Sequence, residues 1–334
     1  MTDETMKMLA SNLNALSEAW KCSLVTAGLN AGLFDDLNIN TPVTIERIAE
    51  KYHYDPAKLE KWMYYCLNAG LLQRADGGYI ITEKCSQFMA DSPFKDLVGF
   101  MRINDYFMRA ALESQQLFKP NNSLDKLTEG RISRDYQPKV SDNLSASLIE
   151  IFKRYNMGDD QTLLDIGCGN GAFLRTLAGI FPGMKISGLD SNLFAIEWGK
   201  KKNQEAGFGD RIKMLVGDAR HDMGDFEDNS VDWVMAINLF HFFPVEGRLP
   251  LIEQMIRVAK KGVFFTEVMV ERSMLSAAAD PLMALLWNDF TGFFREADAE
   301  EINRKIERKY AECVMEKNMI LQGSSYLIAV AKKS

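Results

Sequence analysis

Five residues able to do chemistry recur at nearly even steps through the second half of this 334-residue chain. Asp165, Asp190, Asp218, His241 and Glu267 are separated by 25, 28, 23 and 26 residues, and each stands at or just past the end of an apolar run. The first lies in LLDIGCGNG (Leu163 to Gly171), where an acid leads into Gly167, Gly169 and Gly171. Glycines there let the backbone turn sharply from strand to helix and leave no side chain between the peptide groups and a ligand. The dinucleotide fingerprint places a further glycine three residues after its second, and here Ala172 holds that place. Asp165 would also repel a pyrophosphate, which disfavours a nicotinamide- or flavin-dependent oxidoreductase. A ligand with positive charge and no phosphate suits the acid.

The elements that position these residues read as βα units. Apolar runs at Thr162 to Ile166, Lys185 to Asp190, Ile212 to Asp218, Val231 to Ile237 and Gly262 to Val268 alternate with helical patterns, which predicts a parallel, Rossmann-like α/β sheet. Ligands of open α/β sheets bind at the carboxyl ends of the strands, where the five polar residues fall. The tail reads as a helix, ADAEEINRKIERKY, followed by two apolar runs, AECVMEKNMI and SSYLIAVAKK.

An acid followed by GxGxG resembles the first motif of the class I S-adenosylmethionine-dependent methyltransferases. S-adenosylmethionine carries a sulfonium and an ammonium group and no phosphate, in keeping with the charge of the turn. The resemblance implies a seven-stranded sheet closed by an antiparallel hairpin from the two tail runs. It also implies roles. Asp165, Gly167 and Gly169 would cradle the cofactor, and Asp190, in GLDSN, would accept both ribose hydroxyls, with a helix N-cap as the alternative. Asp218 would accept from the adenine amino group while the Ala219 amide meets a ring nitrogen, the alternative being an exposed loop acid. Asn238 would lie beside the methionine part.

The amino-terminal part differs. After helical stretches around Leu13 to Ala31, the segment Pro42 to Thr82 reads as helix, turn, helix and a β-hairpin across Asp76-Gly77-Gly78, a winged-helix pattern. One reading is a nucleotide-sensing regulator that binds DNA. Against it, Pro42 to Lys84 balances six bases (Arg47, Lys51, Lys58, Lys61, Arg74, Lys84) with six acids (Glu46, Glu50, Asp55, Glu60, Asp76, Glu83), and the second helix is aromatic (Trp62, Tyr64, Tyr65) rather than arginine-rich. A winged helix ahead of a methyltransferase domain resembles the small-molecule O-methyltransferases related to the caffeic acid and polyketide enzymes. That family implies a homodimer, with residues 1–105 as the dimerisation domain and 106–334 as the S-adenosylmethionine-dependent domain, including a helical pocket segment at 106–155.

In those enzymes a histidine in an LHDW stretch takes the proton from the substrate hydroxyl. Here the stretch is NLFHFF, so His241 is present while the following aspartate and tryptophan are replaced by Phe242 and Phe243. His241 is therefore the candidate base, with a pocket wall as its alternative, and transfer to carbon, nitrogen or sulfur stays open. Imidazole can take the proton as a phenolic oxygen attacks and its acidity rises. Glu267 corresponds to a family glutamate near the histidine and is the candidate orienting carboxylate, with Glu271 in reserve. Of the other histidines, His53 falls in the winged-helix turn and is expected to be structural or solvated, and His221 falls in an acidic loop and is expected to be solvated. The family also implies that helices at Phe100 to Phe118 and Leu282 to Phe294 wall the acceptor, which makes Phe107, Met108, Trp287, Asp289 and Phe290 candidate contacts to a flat, largely apolar small molecule. Met and aromatic residues at helical spacing are otherwise core.

Composition sets the outer bounds. Hydrophobic residues make 47% and charged residues 25% of the chain, ordinary globular values. No run approaches a membrane span, and the start lacks the apolar core of a signal peptide, so a cytoplasmic protein is expected. Five scattered cysteines (Cys22, Cys66, Cys85, Cys168, Cys313) without a CxxC pair predict buried thiols and neither disulfides nor a zinc site. The net charge of −7 argues against nucleic acid as the main partner.

Overall fold

The computed structural model describes residues 10–11, 13–14, 21, 23–29, 31–86, 149, 152–268, 290–307, 312–318 and 325–331, the last two stretches by backbone alone. The chain divides into two compact units, Met1–Arg109 and Ala110–Ser334.

In the amino-terminal unit, α1 (Ile45–Tyr52) starts at Thr44, whose hydroxyl accepts from the Arg47 amide. His53 ends the helix in the left-handed region (φ 56°), exposed to solvent. Helix α2 (Pro56–Asn68) is capped by Asp55, which accepts from the amides of Ala57 and Lys58, with proline in its first turn. Strands β1 (Leu72–Ala75) and β2 (Gly78–Ile81) pair antiparallel with Ala75 opposite Gly78, so Asp76-Gly77 is a two-residue turn. Ile48, Leu59, Met63, Cys66, Leu72 and Ile81 close one core beneath them. The helix, turn, helix, hairpin order read from the sequence is present.

The second unit is built on a seven-stranded sheet. Five strands are parallel: β3 (Thr162–Ile166), β4 (Lys185–Asp190), β5 (Ile212–Val216), β6 (Val231–Ile237) and β7 (Ala259–Val268). Strands β8 (Glu312–Asn318) and β9 (Ser325–Ala331) form an antiparallel hairpin, β9 lying against β7. The order across the sheet is β5-β4-β3-β6-β7-β9-β8. The helices α3 (Ala172–Ile180), α4 (Leu193–Glu205) and α5 (Val245–Val258) follow β3, β4 and β6, and α6 (Glu296–Glu307) precedes the hairpin.

Side chains alternate across the sheet as its pleat requires. Leu164, Ile166, Val234, Ala236, Val263 and Phe265 pack with Ile252, Met255 and Ile256 of α5 on one face. Leu163, Trp233, Met235 and Phe264 pack with Phe173, Leu174 and Leu177 of α3 on the other. Both faces of the parallel strands are covered, which explains their continuous apolar runs.

Two strand ends differ from the sequence reading. Strand β5 stops at Val216: the Gly217 amide makes the last ladder bond, to the Asp190 carbonyl, and the Asp218 amide then turns to the Asp222 carboxylate. Strand β7 begins at Ala259, three residues early, pairing with Val231 before a bulge in which Lys260 and Lys261 oppose the single residue Asp232. No helix among the described residues is long and apolar enough to cross a membrane.

Candidate functional site

The turn after β3 has the form its glycines permit. Gly167, Gly169 and Gly171 all lie in the left-handed region, with φ of 72°, 55° and 68°. Asp190, at the end of β4, staples this turn from the neighbouring strand: its Oδ2 accepts from the Gly169 amide at 2.7 Å and its Oδ1 from the Asn192 amide at 2.8 Å. The N-cap of α4 is Asn192, whose side chain accepts from the Ala195 amide, so capping falls to a residue other than Asp190.

Asp165 lies under the turn, 3% exposed, and its Oδ1 has no hydrogen-bond partner. Burial, with Asp190 close by, pushes its carboxyl well above the usual carboxylate range. Asn238, one residue past β6, holds a left-handed φ of 53°, and its buried Oδ1 is also without a partner. Its amide donates to the Thr266 carbonyl of β7 at 2.9 Å, anchoring the backbone while the side-chain oxygen stays unused. An orphaned buried carboxylate oxygen and an orphaned buried amide oxygen are costly unless a donor or a cation meets them. The donor set therefore fits a ligand that is cationic beside β3 and β6 and carries hydroxyls beside β4.

The turn is braced from behind by residues that sequence reasoning does not single out. Asn170 and Asn203, at 0% and 1% exposure, are joined through Arg175, whose Nη1 donates to the Asn170 carbonyl at 2.8 Å and to Asn203 Oδ1 at 3.0 Å. Gly199 of α4 presses on the same place, where a Cβ would fall 2.6 Å from the Asn170 carbonyl oxygen.

Asp218 follows β5 with its side chain partly exposed. Arg220 grips both of its oxygens, Nε to Oδ1 at 2.9 Å and Nη2 to Oδ2 at 2.7 Å, and these hydrogen bonds hold the carboxyl below its ordinary range. Ala219 is half-buried beside it, and His221 is exposed in the loop as expected.

His241 sits in a single 3-10 turn, Phe240–Phe242, and is 5% exposed. Its Nδ1 lies 2.9 Å from Oε2 of Glu267, which comes from the end of β7 and is fully buried. The other oxygen of Glu267 accepts from the Phe240 amide. One carboxylate thus fixes both the ring and the backbone of the turn, which leaves Nε2 as the ring nitrogen for an incoming group. Aromatic rings enclose the imidazole, with centroids of Phe242, Phe290 and Phe293 at 4.4, 5.5 and 5.6 Å. Phe290 was expected at this wall; Phe293 was not distinguished from its neighbours. Phe107, Met108, Trp287, Asp289 and Glu271 lie outside the described residues.

The structure brings Asp165, Asp190 and Gly169 together at one end of the sheet edge, and His241, Glu267 and Phe290 together at another. Cys66 and Cys85 are buried in the amino-terminal core, where burial pushes both thiols up to about 12. Among the described residues no group of three or more His, Cys, Asp or Glu could hold a metal ion.

Known proteins agree with this architecture. The family model described as Methyltransferase domain matches residues 163–262. Over 119 residues the chain is 37% identical to the sterol 24-C-methyltransferase of Yarrowia lipolytica, and over 104 residues 35% identical to that of Eremothecium gossypii. These matches span 35% and 31% of this chain but only 30% and 26% of the relatives, under a third of their length. Solved structures match along nearly the whole chain. The S-adenosylmethionine-dependent methyltransferase SibL superposes with a TM-score of 0.66 at 17% identity, covering 98% of this chain and 100% of its own. The mitomycin 7-O-methyltransferase MmcR gives 0.60 at 14%, covering 99% and 100%. Human N-acetylserotonin methyltransferase, solved with S-adenosylmethionine, gives 0.59 at 18%, covering 100% and 99%. Residues 163–262 therefore match a methyltransferase domain, in a chain whose fold is similar to that of these solved methyltransferases.

Proposed function

We propose that this protein transfers a methyl group from S-adenosylmethionine to a hydroxyl of a small, flat, largely apolar acceptor. The observation that carries the reading is the pairing of two sites along one sheet edge: an acidic glycine turn with an orphaned buried carboxylate, and an enclosed His–Glu pair. When bound, S-adenosylmethionine supplies a methyl group on a positively charged sulfur that is already a good leaving group. Asp165 and Asn238 would face its charged methionine end, Gly167 and Gly169 would give it room, and Asp190 would take the ribose. Asp218 and Ala219 would take the adenine.

The chain's own work is then alignment and one proton. Holding nucleophile and methyl carbon in line can contribute roughly 7–11 kcal/mol. His241 Nε2 would take the hydroxyl proton, and Glu267 would hold the opposite nitrogen protonated. Phe242, Phe290 and Phe293 exclude water from that exchange and offer apolar faces to a planar acceptor. Phe107, Met108, Trp287 and Asp289 complete the proposed acceptor contacts. The amino-terminal unit is proposed as the dimerisation module of a cytoplasmic homodimer, a role its balanced charge suits better than binding DNA.

Calorimetry with S-adenosylmethionine and with NAD tests the cofactor: binding of the first alone is expected, and binding of NAD alone overturns the reading. Labelled methyl transfer to a panel of phenols, with His241→Ala beside the native chain, tests the chemistry. Turnover that survives this substitution nearly intact removes His241 as the base.

A further inference from the structure

The His241 turn is held from a second direction that the mechanism above does not use. The segment 290–294 lies some fifty residues later in the chain and is bound to the turn by main-chain bonds. The Thr291 amide donates to the His241 carbonyl at 2.7 Å. The Thr291 hydroxyl lies 2.6 Å from the Phe243 carbonyl and 2.9 Å from the His241 carbonyl, so its one hydrogen is shared between them. Arg248, a cation on α5 at 1% exposure, spans the same gap: Nε donates to the Phe243 carbonyl at 3.0 Å and Nη2 to the Gly292 carbonyl at 2.7 Å. Its guanidinium stacks on Phe294 at 4.4 Å and pairs with Asp298 at 3.6 Å.

A charge buried this deeply is retained only where its hydrogen bonds are well made, and here two of them go to carbonyls on either side of one seam. The planar guanidinium suits that geometry because its donors are fixed in a fork. The seam also joins the imidazole to the two rings, Phe290 and Phe293, that flank it.

We propose that Thr291 and Arg248 are the positioning residues of the His241 site, a clasp that fixes the backbone of the base and sets the aromatic wall against it. Glu267 holds the ring at Nδ1 and the start of the turn at the Phe240 amide, but makes no bond to the carbonyls of His241 and Phe243 on the far side of the turn. With those carbonyls held by Thr291 and Arg248, the backbone that carries the ring is fixed on both sides of His241. Neither residue touches the reacting atoms. The inference rests on the proposed role of His241 for its consequence in turnover, but the clasp itself is read without methyl transfer.

The test uses protein labelled with 15N-histidine, which gives signals from only three residues, His53, His221 and His241. In the ligand-free full chain, Thr291→Val removes the hydroxyl and keeps the shape. It is expected to shift or broaden the His241 ring signals and leave His53 and His221 unmoved, while Thr291→Ser restores the native spectrum. Turnover at saturating S-adenosylmethionine is expected to fall roughly 10- to 100-fold in Thr291→Val, as for a small misplacement of a reacting group, with the affinity for S-adenosylmethionine unchanged. Arg248→Lys keeps the charge and loses the fork, and gives the same His241 shift from the other side of the seam. His241 signals that stay native in both folded variants overturn the clasp. A native chain with no methyl transfer overturns the function instead, and leaves the ring signals as a separate result.

Discussion

Replacing Glu267 by Gln separates the shape of the His241 site from its chemistry. The native carboxylate accepts twice, from the Phe240 amide and from His241 Nδ1. Glutamine has one acceptor and one donor. Its oxygen can keep the Phe240 bond, which places the amide NH2 against Nδ1 and forces that nitrogen to accept. The ring proton then sits on Nε2, the atom that has to be bare to take a proton from an acceptor. Losing a general base costs about 10²- to 10⁴-fold in turnover, which at 1.36 kcal/mol per tenfold is about 2.7–5.5 kcal/mol on the barrier. Stability should move little, because both contacts persist in altered form. Glu267→Ala is the contrasting variant: it strands the buried Phe240 amide, at about 1–3 kcal/mol, and opens a cavity besides. The assay is single-turnover transfer of labelled methyl to the best phenol of the panel, with the His241 tautomer read from its ring nitrogens in the same protein. Expected are a native melting temperature, a flipped tautomer and the stated loss of rate. A flipped tautomer with native turnover refutes the proton-transfer role of His241, and an unflipped tautomer refutes the orienting role of Glu267.

Asp165→Asn should act in opposite senses on stability and on binding. The folded state raises this carboxyl's proton affinity, so the native chain holds the proton more tightly than the unfolded chain and loses stability as pH rises through the folded value. The variant is therefore expected to melt higher than the native protein at pH 8, with the advantage shrinking as pH falls toward the ordinary carboxylate range, while its calorimetric affinity for S-adenosylmethionine drops. Gly199→Ala sets two magnitudes against each other. Alanine favours a helix over glycine by about 0.5–1 kcal/mol, yet the new Cβ would sit 2.6 Å from the Asn170 carbonyl oxygen, which has no flexible side chain to yield. Weaker S-adenosylmethionine binding is expected, although Gly199 sits behind the turn; unchanged affinity would mean that α4 does not brace the glycine turn.

Much of the framework was legible because the sheet is covered on both faces. The bounds of β3, β4 and β6 coincide with the mostly apolar runs read for them, since a strand covered on both faces carries few polar positions. Strand β5 is shorter than its run because the Asp218 amide leaves the ladder for the Asp222 carboxylate, a turn that the apolar run does not mark. Glu267 is the carboxylate that the family resemblance points to, with Glu271 in reserve, and the register of β7 places Glu267 against His241. Thr291 and Arg248 were not readable. Their partners lie 44 to 50 residues away for Thr291 and Gly292, and an arginine in an amphipathic helix looks the same whether it faces water or a seam of carbonyls. Asn203 escaped for the same reason: its significance depends on Arg175 from another helix.

The hairpin at the end of the sheet has a consequence for how the His241 site can change. With β9 on one side and β6 on the other, β7 is an interior strand. A slip of one residue would turn each of its side chains to the opposite face, exchanging Glu267 with Thr266. The carboxylate held against His241 is therefore inherited with the sheet and cannot drift by small steps. The segment 290–294 is attached through Thr291, the Gly292 carbonyl and the Phe294 ring, attachments that do not use the side chains of Phe290 and Phe293. Substitution of Phe290 and Phe293 could redraw the proposed acceptor wall generation by generation while the His241–Glu267 pair stays where β7 puts it.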